Sequence, residues 1–330
     1  MATRTVAIFS LGGTIAMTTD PATGGVVPAL SAHELLAAVP ALRDLDVELR
    51  VHDFRRLPGA SLGFDDLDAL SDALAEAFRT GCDGAVVTQG TDTIEETAYL
   101  LDLRHPGEQP IVVTGAMRNP TLPGADGPAN VHAAVIAAAA PELTGAGAVV
   151  VLGDEIHAAR HVRKSHSTSP AAFTSPATGP LGGLYEGRVH LHGPLAPRTT
   201  FAGPSTGRAA RVGLYTATLG DDGTLLAAMA EACDGLVIAA FGVGHVPEGF
   251  VGILERAATR IPVVLAGRIG NGPVLQGTYG FPGSERDLLS RGLIRAGHLD
   301  GYKARLLLHH LLGQGRSTAE IAASFGTEAH

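Results

Sequence analysis

Val6-Ala-Ile-Phe-Ser-Leu11 runs straight into Gly12-Gly13-Thr14-Ile15-Ala16, and Gly84-Ala-Val-Val87 runs into Thr88-Gln89-Gly90-Thr91-Asp92-Thr93. Each is a short apolar run that stops at a Gly-Thr pair. Runs of this length and composition, closed by glycine, read as buried strands. In an open α/β sheet the carboxyl ends of the strands face the ligand crevice. Two threonine hydroxyls delivered to that edge point to nucleophilic chemistry.

Similar runs recur at Val47–Val51, Ile111–Thr114 and Ala148–Leu152, with helical patterns near 31–39, 64–79, 93–102 and 127–140. Ser31-Ala-His-Glu34 and Thr93-Ile-Glu-Glu96 read as capping boxes that open the first and third of these helices. Strands alternating with helices predict a mostly parallel sheet covered on both faces. Phe173–His192 changes to short segments with Gly and Pro turns, in the manner of an antiparallel hairpin. Gly193–Arg211 is rich in Gly, Pro, Ser and Thr and reads as a linker. Alternation then resumes at Val212–Thr216, Leu236–Phe241 and Ile261–Ala266, with helices near 222–232, 248–259, 285–292, 301–312 and 317–325. The expected organisation is α/β throughout: an N-terminal domain over 1–192, a linker over 193–211 and a smaller C-terminal α/β domain over 212–330.

Composition narrows the function. The chain has 330 residues, enough for two domains of ordinary size. Its net charge of −9, without a long run of either sign, argues against nucleic acid as a partner. Its two cysteines, Cys82 and Cys233, are too few and too far apart for a disulfide framework or a cysteine zinc site. His157 and His161 stand four apart but lack the glutamate and third ligand of a zinc protease, so no metal is expected. Neither a dinucleotide fingerprint nor a phosphate-binding Gly-rich loop occurs, and no cofactor is expected. The apolar start is too short for a secretory signal and stops at Gly12-Gly13, and the Ala-rich stretch 133–140 is too short to span a membrane. A cytoplasmic address and no membrane contact are the expectations.

Thr14 follows two glycines, which let backbone N–H groups approach a ligand closely and form an oxyanion hole. An N-cap is the alternative, weakened because 17–25 reads as a flexible loop instead of a long helix. Thr91 and Asp92 stand just before a helix, where both residue types are ordinary caps. Thr93 fills that role in the capping box and leaves the other two free. Lys164 is one of only two lysines, with Lys303. A threonine hydroxyl needs a base, and a lysine able to give up its proton, hydrogen-bonded to Thr91 and held by Asp92, can serve. His245 follows a strand end, where it can reach a cleft or simply cap a helix.

Taken together, these segments resemble the bacterial-type L-asparaginases of the asparaginase/glutaminase family, over nearly the whole chain. Ser10-Leu-Gly-Gly-Thr-Ile-Ala16 is similar to the family's first threonine motif and Gln89-Gly-Thr-Asp-Thr-Ile-Glu-Glu-Thr-Ala98 to its second. Thr114-Gly-Ala-Met-Arg118, Ala125-Asp-Gly-Pro128, Val162-Arg-Lys164 with Phe173, and Gly179-Pro-Leu-Gly182 add to the likeness. The resemblance implies a flavodoxin-like N-terminal domain and a smaller C-terminal α/β domain. It implies hydrolysis of L-asparagine to L-aspartate and ammonia, with Thr14 as acylating nucleophile and Thr91, Asp92 and Lys164 as a second triad. Ala60, Ser61, Gly90, Thr91, Asp92 and Ala116 fall where the family binds substrate. The implied assembly is a homotetramer of intimate dimers, in which Glu285 completes a neighbour's site; the alternative reading is that Glu285 is simply an acid in the first turn of helix 285–292, where the helix dipole favours it. A glutaminase-asparaginase, or a related small-amide hydrolase, is the alternative enzyme. A non-catalytic amino-acid-binding module is the alternative of another class. Departures from the family pattern are Pro21 in place of a loop tyrosine, Ala60-Ser61 in place of a Ser-Gln pair, and Gly244-His-Val-Pro247 in the in-trans asparagine region.

Overall fold

A computed structural model describes residues 3–13, 15, 17–19, 26–28, 31–203 and 210–328. The chain divides into two compact units, Met1–Thr200 and Phe201–His330.

The first unit is built on an eight-stranded sheet. Its strands are β1 (Arg4–Ser10), β4 (Val47–Asp53), β5 (Gly84–Thr88), β6 (Ile111–Thr114), β7 (Ala148–Leu152), β8 (Glu155–Ala158), β11 (Gly182–Tyr185) and β12 (Arg188–Leu191). Two short pairs lie outside it: β2 (Met17–Thr19) with β3 (Val26–Pro28), and β9 (Arg163–Lys164) with β10 (Phe173–Thr174). The order across the sheet is β12-β11-β8-β7-β6-β5-β1-β4. Strands β4, β1, β5, β6 and β7 are parallel, and β8, β11 and β12 continue the sheet antiparallel. Counting the parallel strands in chain order gives 2-1-3-4-5, the flavodoxin-like order, which reverses direction between β1 and β5. A crevice opens at such a reversal, and Gly12-Gly13 and Gly90-Thr91 lie immediately beyond the two strands that flank it.

Successive side chains along a strand point to opposite faces. Val6 and Ile8 of β1 therefore join Val86, Val112, Val149 and Val151 on one face, under helix α4 (Gly127–Ala139). Ala7, Phe9 and Leu11 join Ala85, Val87, Val113 and Val150 on the other, under α2 (Phe64–Arg79) and α3 (Ile94–Arg104). Both faces being covered, the central strands β5, β6 and β7 are buried along their whole length. The remaining helix of the unit, α1 (Ala32–Ala37), opens with the expected capping box: Glu34 accepts the Ser31 N–H at 2.8 Å and Ser31 Oγ accepts the Glu34 N–H at 3.2 Å.

The second unit has a parallel sheet of β13 (Val212–Thr216), β14 (Gly235–Ala240), β15 (Val263–Gly267) and β16 (Ile294–Asp300), in that order. Its helices are α5 (Thr224–Ala232), α6 (Val251–Ala258), α7 (Glu285–Ser290), α8 (Gly301–Gly313) and α9 (Thr318–Glu328). The fold class read from the sequence stands: α/β in both units, with the larger, mainly parallel sheet first. No helix among the described residues is long and apolar enough to cross a membrane.

Three local expectations change. Strand β16 is not legible in Ile294-Arg-Ala-Gly-His-Leu-Asp300, because the register against β15 shifts and Gly297 adopts a φ of 64°, which breaks the alternation. Part of the 17–25 loop is strand, since Met17–Thr19 pairs antiparallel with Val26–Pro28. Helix 285–292 stops at Ser290, where Gly292 at φ 91° turns the chain.

Arg198, in the segment read as linker, is anchored in the first unit. Its guanidinium donates to the carbonyls of His105 at 2.8 Å, Gly107 at 2.7 Å and Gly145 at 3.2 Å, and to Asp102 Oδ1 at 3.2 Å. Asp102 in turn accepts the Ala148 N–H at 2.9 Å. This cluster gathers the end of α3 and the start of β7, at the amino ends of the parallel strands, opposite to the crevice. Arg198→Ala is expected to lower unfolding free energy by about 2–4 kcal/mol, because it leaves a buried carboxylate and several carbonyls short of donors. Urea denaturation checks the loss, and turnover below the transition should remain that of the parent.

Candidate active site

Beyond β1 and β5 the two turns meet through glycine. Gly13 has a φ of 85°, a left-handed conformation that glycine adopts freely. A Cβ at Gly13 would overlap the Gly90 amide, one at Gly90 would come 2.9 Å from Gly59 N, and one at Gly59 would come 2.9 Å from Gly90 O. The three glycines thus stack backbone on backbone, and bring together the β1 turn, the β5 turn and the short 3-10 turn Gly59–Ser61.

A chain of hydrogen bonds ties the same three turns. Gln89, fully buried, donates Nε2 to Gly90 O and to Thr93 Oγ1, both at 3.3 Å. Thr93 Oγ1 donates to Gly59 O at 3.1 Å. Thr93 is the N-cap residue of α3, but its hydroxyl makes no capping bond, contrary to the capping box read from Thr93-Ile-Glu-Glu96. It is spent instead on the Gly59 carbonyl, which also accepts the Leu62 N–H at 3.3 Å. Thr91 and Asp92 form the first part of a 3-10 turn ahead of that helix.

Lys164 reaches this cluster from β9. Its Nζ donates to Thr91 Oγ1 at 2.9 Å and to Asp92 Oδ1 at 3.1 Å. Thr91 is buried, whereas the Asp92 side chain is 63% exposed, so the ion pair has a dry hydroxyl on one side and an open carboxylate on the other. The lysine backbone is held from two directions. Lys164 pairs with Phe173 of β10, whose ring is buried, and its N–H donates to Glu95 Oε2 at 3.2 Å. Glu95 lies in the first turn of α3, and its one trace in the sequence is the Ile94-Glu-Glu-Thr97 run that opens the helix.

The structure therefore brings Thr91, Asp92 and Lys164 into one hydrogen-bonded group, with Gly90 at its base. Ala60 and Ser61 are exposed on the turn that Gly59 packs against Gly90. Ala116 lies two residues past the end of β6, beside β5 in the sheet, and is buried. Thr14 and Pro21 lie outside the described residues. Their flanks are described: Gly13 in the glycine stack, and Ile15 buried, so close to Gly127 that a Cβ there would come 3.0 Å from Ile15 Cγ1.

In the second unit, Glu285 and His245 come together. Glu285 is 0% exposed and opens α7 behind the N-cap Ser284. Its Oε1 accepts the N–H groups of Thr278 at 2.9 Å and Tyr279 at 2.8 Å, and its Oε2 meets His245 Nε2 at 3.2 Å. Burial alone would push this carboxyl up, but the amide donors and the His245 ring outweigh it and hold it below the usual glutamate value. The His245 ring is edge-on to Tyr279 and Phe281, at 4.8 and 5.0 Å between centroids. These two aromatics remain 43% and 46% exposed.

Gly13→Ala is expected to abolish turnover, because its Cβ has no room against Gly90 and φ is left-handed. The damage should be local to the first unit. Hydrogen exchange should rise across 84–93 and stay unchanged in β13–β15, while an unaltered rate of turnover would mean that the stack yields easily.

The family description "Asparaginase, N-terminal" matches residues 5–197, and "Glutaminase/Asparaginase C-terminal domain" matches residues 211–325. A probable L-asparaginase of Deinococcus radiodurans is 37% identical over 325 residues, covering 97% of this chain and 96% of that protein. An L-asparaginase of Bacillus licheniformis is 35% identical over 312 residues, covering 94% and 95%. The crystal structure of a probable cytoplasmic L-asparaginase from Campylobacter jejuni superposes with a TM-score of 0.86 at 30% identity, covering 98% of this chain and 99% of that one.

Proposed function

The chain belongs to the asparaginase family, and we propose that it hydrolyses L-asparagine to L-aspartate and ammonia through an acyl-threonine intermediate. One observation carries the reading: Lys164 Nζ is bonded at once to Thr91 Oγ1 and Asp92 Oδ1 beside the glycine turn that leads to Thr14. Binding alone has no need of a buried hydroxyl held by a lysine, so this group favours an amidohydrolase over a non-catalytic binding module.

In the proposed sequence Thr14 Oγ attacks the carboxamide carbon and gives up its proton. The new C–O bond makes a tetrahedral oxyanion, which backbone N–H groups of the glycine turns hold. The C–N bond then breaks, and ammonia leaves with the proton taken from Thr14. Water attacks the acyl-threonine, aspartate departs, and the Thr14 hydroxyl is restored. Thr91 and Lys164 form the proton path, since a single hydrogen bond joins Oγ1 to Nζ. Asp92 orients Lys164 through one oxygen and leaves an exposed carboxylate to pair with the substrate ammonium. Ala60, Ser61 and Gly90 take the α-carboxylate side, and the Ala116 carbonyl receives the carboxamide N–H. The proposal includes a cytoplasmic address and a homotetramer in which Glu285, buried in its own subunit, serves a neighbour's site through the Thr278–Tyr279 backbone that it holds. The exposed Tyr279 and Phe281 beside Glu285 support the assembly, being the kind of apolar surface a partner covers.

Ammonia release from L-asparagine, L-glutamine and D-asparagine, measured side by side, tests the activity and its preference. L-asparagine should be turned over fastest, and tight aspartate binding without ammonia release would move the protein to the binding-module reading.

Thr14→Ala and Thr91→Val should each reduce kcat on the order of 1000-fold or more with the fold intact. Lys164→Met should be equally damaging, and Lys164→Arg should not restore activity, because guanidinium holds a charge but does not release its proton near neutrality. Robust turnover by the arginine variant would limit the position to a positive charge.

For the assembly, Thr14→Ala and Glu285→Ala chains can be mixed under subunit exchange. Recovery of activity is expected, because a hybrid pair regenerates one intact site. Proven exchange without recovery would confine Glu285 to its own subunit.

A further inference from the structure

Ala116 sits on a turn whose shape is imposed by two side chains with no role assigned so far. Asp126, the residue before α4, accepts the Met117 N–H on Oδ2 at 3.0 Å and the Arg118 N–H on Oδ1 at 2.8 Å. Asn130, one turn into α4 and 3% exposed, donates Nδ2 to the Gly115 carbonyl at 2.9 Å and to Asp126 Oδ2 at 3.1 Å. Its Oδ1 accepts the Gly153 N–H, just past β7, at 3.0 Å. Both amide hydrogens and the oxygen of Asn130 are thus in use, and they span the ends of β6 and β7.

The consequence falls on one peptide group. The Met117 N–H and the Ala116 C=O belong to the same peptide, and in a trans peptide the two point in opposite directions. With the N–H fixed on Asp126, the Ala116 carbonyl is aimed away from Asp126 and cannot rotate without breaking a charge-assisted bond. The same negative charge polarises the peptide and makes its carbonyl a stronger acceptor. Asn130 holds the preceding peptide through Gly115 O, so the turn is gripped on both sides of Ala116.

We propose that Asp126 and Asn130 are positioning residues for the hydrolysis: together they aim and polarise the Ala116 carbonyl that receives the substrate carboxamide N–H. The choice of substrate rests on the asparagine-hydrolysing reading above. The latch itself rests on the bonds just described. A carbonyl that grips the carboxamide sets the angle at which its carbon meets the nucleophile, so its misalignment lowers kcat more than it weakens binding.

Asn130→Asp tests this, because it keeps the volume but turns an acceptor toward Gly115 O and Asp126. With full-length protein, kcat for L-asparagine should fall on the order of 100-fold. KM should move by less than about threefold. Amide exchange at Met117 and Arg118 should accelerate while that of β5 stays unchanged. Asp126→Asn, at a half-exposed position that tolerates the change in charge, should give the same pattern with about a tenfold loss. Parental kcat and parental exchange in both variants overturn the proposal, as does a loss confined to KM. Should Asn130→Asp fail to fold, Asp126→Asn decides by the same criteria. If the unaltered protein releases no ammonia from L-asparagine, the substrate assignment falls, and faster exchange at Met117 and Arg118 still establishes the latch.

Discussion

Backbone-on-backbone contact among Gly13, Gly90 and Gly59 is the constraint on which the candidate site depends. Peptides approach this closely only where no Cβ intervenes, and the contact draws the ends of two neighbouring parallel strands together with a third turn. It places Gly13, just beyond β1, against Gly90, just beyond β5, at the point where strand order reverses. N–H groups left by such turns are free of side-chain shielding, which is what an oxyanion requires. The buried Gln89 and the Thr93 hydroxyl then lock the arrangement with directed bonds that glycine cannot supply itself.

Around this stack, polar side chains hold loops that carry no regular structure. Lys164 is positioned by a two-residue strand and by Glu95, a carboxylate on a helix from a distant part of the sequence. The 115–118 turn is held by Asp126 and Asn130, and the opposite end of the parallel strands by Arg198. Arg198, Asp126 and Asn130 each satisfy several groups at once, which makes their geometry costly to disturb. The apolar core fixes the sheet and its helices, while these multidentate groups set the directions in which individual carbonyls and ammonium groups point.

The second unit uses the same device with a buried acid. Glu285 accepts two backbone N–H groups and meets His245, holding the Thr278–Tyr279 backbone, while Asp287 accepts the Gly283 N–H at the far end of the same irregular segment. Tyr279 and Phe281 are held by that segment and by the His245 ring, and remain partly exposed.

The sequence by itself determined the α/β class, the strands bearing both Gly-Thr motifs and the grouping of Thr91, Asp92 and Lys164 as candidates. The strands were legible because they are local, an apolar run and a glycine stop, whereas Lys164, 73 positions from Thr91, stood out by its rarity and by the family resemblance. Only the tertiary structure decided what depends on contacts between distant segments. The Thr93 hydroxyl leaves its helix for Gly59, thirty-four positions away, and no cap pattern anticipates a carbonyl brought there by glycine stacking. Strand β16 was hidden because a bulge at Gly297 breaks its alternation, and its pairing with β15 supplies what the pattern lacks. The bond lengths around Lys164 and the latch on Ala116 belong to the same class. They arise where several turns converge at one edge of a sheet, and one-dimensional spacing carries no record of which side chain then finds which backbone group.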